Sequence, residues 1–460
     1  MPGKDKVMAP SAHAADPPGV PLDLRITVEA MRLGVVPPGQ THRYTVGRDD
    51  VVGTLRGDLA RASTGAGALR ALIGEYGSGK THMLSFLEDE ARQRNFVTAR
   101  VVLNPHDASP ANPRRVYRAL ARSLTLPDVS GGPHGLGRLL EQAVGVREVE
   151  RRFGVGSIRA TSRAEAYVAD GVHLYLTPAL QYATAARSIT NSGEGGDHPL
   201  VENARIGVEE LLEWLGGSSD TPTGAIEETV RLAIGRNHGR LYSLKDYRPW
   251  ARIYGYLLSG LAALSRACGY AGLVALVDEA EFYALLDPAN RAHARTLFKA
   301  LAFASLGPRP EDGLDLPFDV GEALSGGGAG VLQRVPGRFG DDAGLYTVFV
   351  MTPDRSGLEA LDGAVPGDVR LELRRLNTGE LEELAHRICT LYREAYPDTP
   401  WRDGLEGALA TIAASLMRRG DLDNPRQCMR FLVEFLDLQR LRTEAMPGIV
   451  ADLVERLRGR

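Results

Sequence analysis

A glycine-rich stretch contains the residue types that bind phosphate. Residues 74–81 read G-E-Y-G-S-G-K-T and match the pattern G-x-x-x-x-G-K-[ST]. Glycines let the backbone N–H groups turn inward around an anion, Lys80 would reach the β- and γ-phosphates, and the Thr81 hydroxyl would hold Mg²⁺. The predicted nucleotide-binding residues here are Gly74, Glu75, Tyr76, Gly77, Ser78, Gly79, Lys80, Thr81 and His82.

Two adjacent carboxylates form a second candidate site. Residues 273–277 read L-V-A-L-V and lead directly into Asp278 and Glu279. Unbroken aliphatic runs are typical of strands buried on both faces of a parallel sheet. Asp278 would hold Mg²⁺ through water, and Glu279 would orient and deprotonate an attacking water. The alternative is a core strand that ends in a solvated acidic turn, but the phosphate loop elsewhere in the chain favours ATP hydrolysis with ATP and Mg²⁺ as cofactors.

The elements around these stretches must place them at one edge of a sheet. An apolar run at 71–73 precedes the glycine loop, and apolar residues at helical spacing follow it. A strand over 96–103 and a helix over 113–125 continue the order β-α-β-α, which predicts an α/β fold with a parallel sheet. A further buried strand over 345–351 ends at Thr352, and 368–373 is predicted as the last strand.

Composition narrows the class of protein. The 460 residues carry a formal net charge of −4, with 43% hydrophobic and 24% charged residues, which is typical of a soluble globular protein. We therefore expect no global attraction to nucleic acid or membranes, and no apolar run reaches the roughly 18 residues of a membrane span. Three distant cysteines frame neither disulfides nor a zinc site, so we expect a cytoplasmic location.

Pro and Gly clusters divide the chain into five predicted parts. Residues 1–20 are predicted to be a disordered tail, 21–126 the first part of a core and 127–246 a mostly helical insertion. Residues 247–376 would be the second part of the core, with a mobile Gly-rich loop over 306–343. Residues 377–460 are predicted to be purely helical. Residues 376–460 hold 12 Arg against 14 Asp+Glu, so this region is not expected to bind DNA by charge.

Four segments in this order resemble one group of ATPases. They are V-G-R-D at 46–49, the glycine loop, G-Y-A-G-L-V-A-L-V-D-E-A-E at 269–281 and N-P-R at 424–426. Together they resemble AAA+ P-loop ATPases of the Orc/Cdc6 and STAND type. With the opening E-A-M-R-L-G-V-V-P-P, they resemble the ATP-binding proteins of bacterial BREX phage-defence systems (BrxD-like). The resemblance covers roughly 22–125 and 245–440.

The resemblance implies roles for further residues. Val46 and Arg48 would belong to a linker beside the adenine, and Thr352 would be sensor 1. The C-terminal helices would form a lid whose Arg426 reaches the γ-phosphate as sensor 2, although a surface arginine at a helix start is the simpler alternative. Asn104, a polar residue at the end of the second strand, would hold Glu279 away from water until a partner binds.

The resemblance also implies partners. It indicates an ATPase that works beside a helicase or nuclease in DNA surveillance, with possible weak DNA binding and assembly with itself or a partner. A neighbouring chain would then donate an arginine to the γ-phosphate, with Arg355, Arg370 and Arg374 as candidates. The alternative is a STAND-like signalling switch that hydrolyses ATP slowly. A small-molecule kinase is disfavoured, because a paired Asp-Glu suits water activation better than an acceptor pocket.

Overall fold

The described part of the chain forms two compact units. The computed structural model describes residues 22–37, 39–155, 172–191, 199–218, 222–234, 241–316, 335–353, 355–422, 424–442 and 448–449. The predicted tail over 1–20, most of the Gly-rich loop and most of the predicted helical region after residue 442 lie outside these ranges. One unit comprises residues 47–375 and the other residues 1–46 with 376–460.

The larger unit is built on a five-stranded parallel sheet, as predicted. The strands are β1 (Ala68–Ile73), β2 (Val97–Val102), β3 (Leu273–Asp278), β4 (Leu345–Met351) and β5 (Arg370–Glu372), in the order β2-β3-β4-β1-β5. Strand β4 pairs with β1 through Ile73↔Met351 and with β3 through Val277↔Phe349. The glycine loop after β1, Thr352 after β4 and Glu279 after β3 therefore emerge side by side at one edge.

Helices cover both faces of this sheet because the side chains of its strands alternate between two apolar clusters. Leu72 and Val274 pack with helices α2 (Asp49–Ser63) and α3 (Lys80–Gln93). Ala71 and Ala275 face the larger cluster, which contains residues of α4 (Pro113–Arg122), α10 (Ala251–Ala267) and α11 (Pro288–Leu306). The result is a three-layer α/β arrangement, compatible with a P-loop ATPase.

Within the described part of the segment predicted as an insertion, every element of regular secondary structure is a helix. The helices are α5 (Gly135–Ala143), α6 (Arg147–Arg152), α7 (Leu176–Asn191), α8 (Pro199–Leu215) and α9 (Thr223–Ile234). Their buried side chains join the apolar cluster that also contains α10. Helices α5 and α6 are separated by a short turn over residues 144–146. Helix α12 (Arg355–Leu361) follows β4 later in the chain.

The longer described elements of the second unit are all α-helices, and they pack around a hydrophobic core of their own. The unit contains α1 (Leu22–Arg32), α13 (Thr378–Ala395), α14 (Leu405–Arg419) and α15 (Pro425–Leu441). Helix α1 packs on α13 and α15, and Arg32 donates to both carboxylate oxygens of Asp437 at 2.8 and 3.0 Å. We expected residues 22–46 to extend the sheet-containing core, but their contacts place them with the C-terminal helices.

Capping residues fix where the helices of this unit begin. Asn377 accepts a bond from Glu380 N while the Glu380 side chain accepts from Asn377 N, which is a reciprocal capping box at the start of α13. Asn424 accepts from Gln427 N at 3.1 Å, and Pro425 occupies the first turn of α15, as its sequence predicted. Within the described ranges, no helix combines the length and apolarity needed to span a bilayer.

Candidate nucleotide-binding site

The loop between β1 and α3 requires its glycines. Gly77 (φ 80°) and Gly79 (φ 92°) adopt left-handed backbone conformations that disfavour side chains. A Cβ on Gly74 would lie 2.3 Å from Ser78 Oγ and 2.9 Å from Leu373 Cβ. The Ser78 side chain is buried, and no residue that the structure describes forms a hydrogen bond with its hydroxyl. The loop ends at Gly79, and α3 begins at Lys80. The backbone N–H groups at the N-terminus of this helix favour an anion.

Lys80 is held by its own loop. Its Nζ donates to Gly74 O at 2.8 Å, to Glu75 O at 3.2 Å and to Thr352 Oγ1 at 3.0 Å. An ammonium has three donors, so these bonds use them all. Burial lowers the pKa of Lys80, and the carboxylates at the end of β3 oppose that shift. A phosphate group would have to take over one or more of these three bonds.

Thr352 links the loop lysine to a third carboxylate. Its hydroxyl accepts from Lys80 and donates to Glu281 Oε1 at 2.5 Å. Glu281 lies in the 3₁₀ helix Ala280–Leu285 that follows β3, and its other oxygen, Oε2, is buried and has no hydrogen-bond partner among the described residues. Thr352 was predicted only as a polar residue at the end of a buried strand, and the structure adds its contact with Lys80. The sequence did not point to Glu281 as a site residue.

Glu279 has an unusual backbone and an unusual environment. It is one of two described non-glycine residues with positive φ, at φ 58° and ψ 39°. Such conformations cost free energy and cluster at functional sites. Burial first, and then the carboxylates of Glu281 and Asp278, raise the pKa of Glu279 to about 7. A carboxylate with that pKa can take or release a proton near neutral pH, as a general base must.

Asp278 pairs with an arginine that the sequence analysis missed. Arg100 Nη2 donates to Asp278 Oδ2 at 2.7 Å, and Glu279 N donates to Asp278 Oδ1 at 3.0 Å. Arg100 lies opposite Leu276 in the register of β2 and β3, so Arg100 and Asp278 lie on the same face of the sheet. An arginine inside the apolar run V-T-A-R-V-V of β2 was the available signal. In the structure its charge faces two carboxylates, Asp278 on β3 and Glu88 on α3.

Arg48 supports the loop from behind. Its guanidinium is buried and donates from Nη2 to Ser78 O at 2.7 Å and to Arg374 O at 2.5 Å. Its positive charge adds to the effect of burial, and together they lower the pKa of His82 to about 4, so this imidazole is neutral. A brace for the glycine loop is the role that these contacts show for Arg48. The predicted contact with adenine is a separate proposal.

The remaining predicted residues lie in different surroundings. The side-chain oxygen of Asn104, Oδ1, accepts hydrogen bonds from the backbone N–H groups of His106 and Asp107 at 2.9 and 2.7 Å. This side chain therefore stabilises the turn that follows it. Val46 is buried in the core of the helical unit. Arg426, at the start of α15 in that unit, packs its side chain against Gly34. Their proposed roles toward the nucleotide rest on the resemblance alone.

The oxygen donors at this edge fit a divalent cation. Among the described residues, no group of three or more His, Cys, Asp or Glu side chains could hold a metal alone. Magnesium is usually bound by one or two protein oxygens together with phosphate and water, which suits the Thr81 hydroxyl and Asp278. When Asp278, Glu279 and Glu281 are all ionised, Lys80 and Arg100 balance two of the three charges, and a cation would offset the third.

Comparison with known proteins assigns the family. The profile of the family described as BREX system ATP-binding protein BrxC/D matches residues 22–296, more than half of the chain. That range contains the glycine loop, β3 and both acidic residues that end it. We found no significant match among curated proteins or among solved structures. The chain therefore belongs to the BrxC/D family of BREX system ATP-binding proteins.

Proposed function

We propose that the protein hydrolyses Mg·ATP at the carboxyl edge of its parallel sheet. The observation that carries this proposal is the convergence of Lys80, Thr352 and Glu279 at the ends of three adjacent strands. Ligands of open α/β sheets bind at that edge. Family membership supports ATP as the nucleotide and phage defence as the setting.

The residues would divide the work as follows. Backbone N–H groups of the glycine loop and Lys80 would hold the phosphates, after Lys80 exchanges bonds to Gly74 and Glu75 for bonds to phosphate oxygens. Glu279 would accept the proton of the attacking water. Thr81 and Asp278 would hold Mg²⁺, which offsets charge on the phosphates when bound. Thr352 would bind the γ-phosphate through its hydroxyl.

A slowly hydrolysing switch is the second candidate. The pairing of Arg100 with Asp278 and the saturation of the Lys80 donors describe a resting arrangement that must change before turnover. A protein that waits for a partner to make that change would bind ATP and hydrolyse it slowly. Activation by a helicase or nuclease partner, with DNA, is the form of regulation that we propose.

Turnover measurements separate the two candidates. We propose measuring steady-state phosphate release by the full chain with and without duplex DNA, together with the Lys80→Ala variant as the blank. Multiple turnovers that depend on Lys80 support the ATPase. Stable ATP binding with less than one turnover under both conditions would favour the switch, and absence of ATP binding would contradict both.

A further inference from the structure

The hydroxyl of Thr352 stands between a cation and a carboxylate. The hydroxyl has one hydrogen, which it donates to Glu281 Oε1 at an oxygen–oxygen distance of 2.5 Å. Its oxygen accepts from Lys80 Nζ at 3.0 Å. The chain Lys80–Thr352–Glu281 therefore has a fixed direction, in which each donor is matched to an acceptor.

This chain competes with the phosphate contacts expected of the same residues. A hydroxyl that donates to Glu281 cannot donate the same proton to a γ-phosphate oxygen. Lys80 likewise has no donor left while it bonds Gly74, Glu75 and Thr352. Binding of a triphosphate must therefore break bonds in this chain before it can make its own.

Glu281 is well placed to hold that arrangement. It lies three residues after Asp278, on the 3₁₀ turn that brings its carboxylate back toward the end of β4. Charge-assisted hydrogen bonds are the stronger class, so the bond from Thr352 is a substantial one. The other oxygen of Glu281, Oε2, is buried and accepts no hydrogen bond from the described residues while Glu279 is ionised, because the carboxyl of Glu279 can donate to Glu281 only when it is protonated.

We propose that Glu281 is a positioning residue that acts as a latch. It holds Thr352 and Lys80 in a nucleotide-free arrangement until a γ-phosphate oxygen of ATP replaces Glu281 as the acceptor of the Thr352 hydrogen bond. This inference rests on the proposed function of the site and adds a residue to it. Because the latch must open before the phosphates can bind, Glu281 weakens the affinity for ATP.

The test is a double-mutant cycle in ATP affinity. Glu281→Gln keeps the shape but removes the charge, and Thr352→Val removes the hydroxyl at nearly constant volume. The latch predicts that Glu281→Gln tightens Mg·ATP binding by about tenfold, the scale of one hydrogen bond to a charged group. In the Thr352→Val background the same substitution should change the affinity by less than about twofold, because the hydroxyl through which Glu281 acts is gone.

Three results would overturn the latch. Unchanged or weaker ATP binding by a folded Glu281→Gln variant contradicts it. Equal tightening in both backgrounds would mean that Glu281 merely repels the phosphates. Equal tightening by Glu359→Gln, an exposed carboxylate on the neighbouring helix α12, would make the effect a general one of charge.

Failure of the site itself is recognised separately. If the wild-type chain does not bind Mg·ATP in calorimetry, the proposed function fails and the latch fails with it. If wild type binds and Lys80→Ala does not, the site stands and the cycle decides on the latch alone. Thermal unfolding of each variant without nucleotide confirms that the compared proteins are folded.

Discussion

Two charged clusters of the sheet-containing unit use similar residues in opposite ways. Asp58 on α2 is buried, and its two oxygens accept from Arg70 at 2.5 and 3.0 Å, from Arg61 at 3.1 Å and from Tyr346 at 3.2 Å. At the carboxyl edge of the sheet, three carboxylates face Lys80, and one oxygen of Glu281 has no hydrogen-bond partner in the described part of the chain.

The difference separates a stabilising network from a functional one. A buried charge whose hydrogen bonds are satisfied adds to the cohesion of the elements it joins, here α2, β1 and β4. A cluster with surplus negative charge and a residue in a left-handed conformation is costly to fold, and such costs are found where ligands bind. The first cluster should therefore matter for stability and the second for chemistry.

The largest effect that we predict lies in the second cluster. Glu279→Gln should leave ATP bound and reduce turnover by about 10²–10⁴-fold, because the base that receives the water proton is lost. Phosphate release under saturating ATP measures this directly. Glu359→Gln, which changes an exposed carboxylate on α12 of the same unit, is the matched control and should keep most of the activity. Equal turnover by Glu279→Gln and wild type would make Glu279 a turn residue without a catalytic role.

The next effect lies in the first cluster and concerns stability. Asp58→Ala should lower the free energy of unfolding by about 3–5 kcal/mol, because it leaves Arg70 charged, largely buried and without its carboxylate. Denaturant unfolding followed by circular dichroism measures it. Glu148→Ala removes a solvent-exposed partner of Arg151 and should leave the unfolding midpoint unchanged. A stability loss no larger than that of the control would break the comparison.

A smaller effect is the pH dependence of stability, and it comes from Glu279 in the second cluster. The pKa of Glu279 is about 7 in the folded protein against 4.5 for an ordinary glutamate, so the unfolded chain releases this proton first as pH rises. The contribution of this group to the free energy of unfolding therefore falls as the pH rises from about 4.5 to about 7. Without nucleotide or metal, Glu279→Gln should unfold at a higher temperature than wild type at pH 8, with a smaller difference at pH 5. A difference that does not change with pH contradicts the cost assigned to this carboxylate.

The sequence predicted the parts of the site that depend on local patterns. Glycine spacing located the glycine loop between β1 and α3, and aliphatic runs located β3 and β4, because central parallel strands are buried on both faces. The aliphatic run of β4 also placed Thr352 at the end of that strand. Asn424 and Pro425 marked the start of α15, because capping is also a local interaction.

The parts that sequence reasoning missed depend on contacts between distant segments. Arg100 and Asp278 are 178 positions apart, and only the register of β2 and β3 brings them together. Helix α1 packs on α13 and α15, more than 340 positions away, although its apolar pattern names no partner. Glu281 was visible in the motif D-E-A-E, but its bond to Thr352 depends on a 3₁₀ turn that the motif does not specify.

Calorimetric titration of Mg·ATP into wild type and Lys80→Ala tests the central claim most directly. Lys80 is the cation inside the glycine loop, whereas Lys245 is an exposed lysine elsewhere in the same unit, so Lys245→Ala is the control. We predict one site per chain in wild type and in Lys245→Ala, and no measurable binding in Lys80→Ala. Unchanged affinity in the Lys80→Ala variant would show that residues 74–81 do not bind the phosphates.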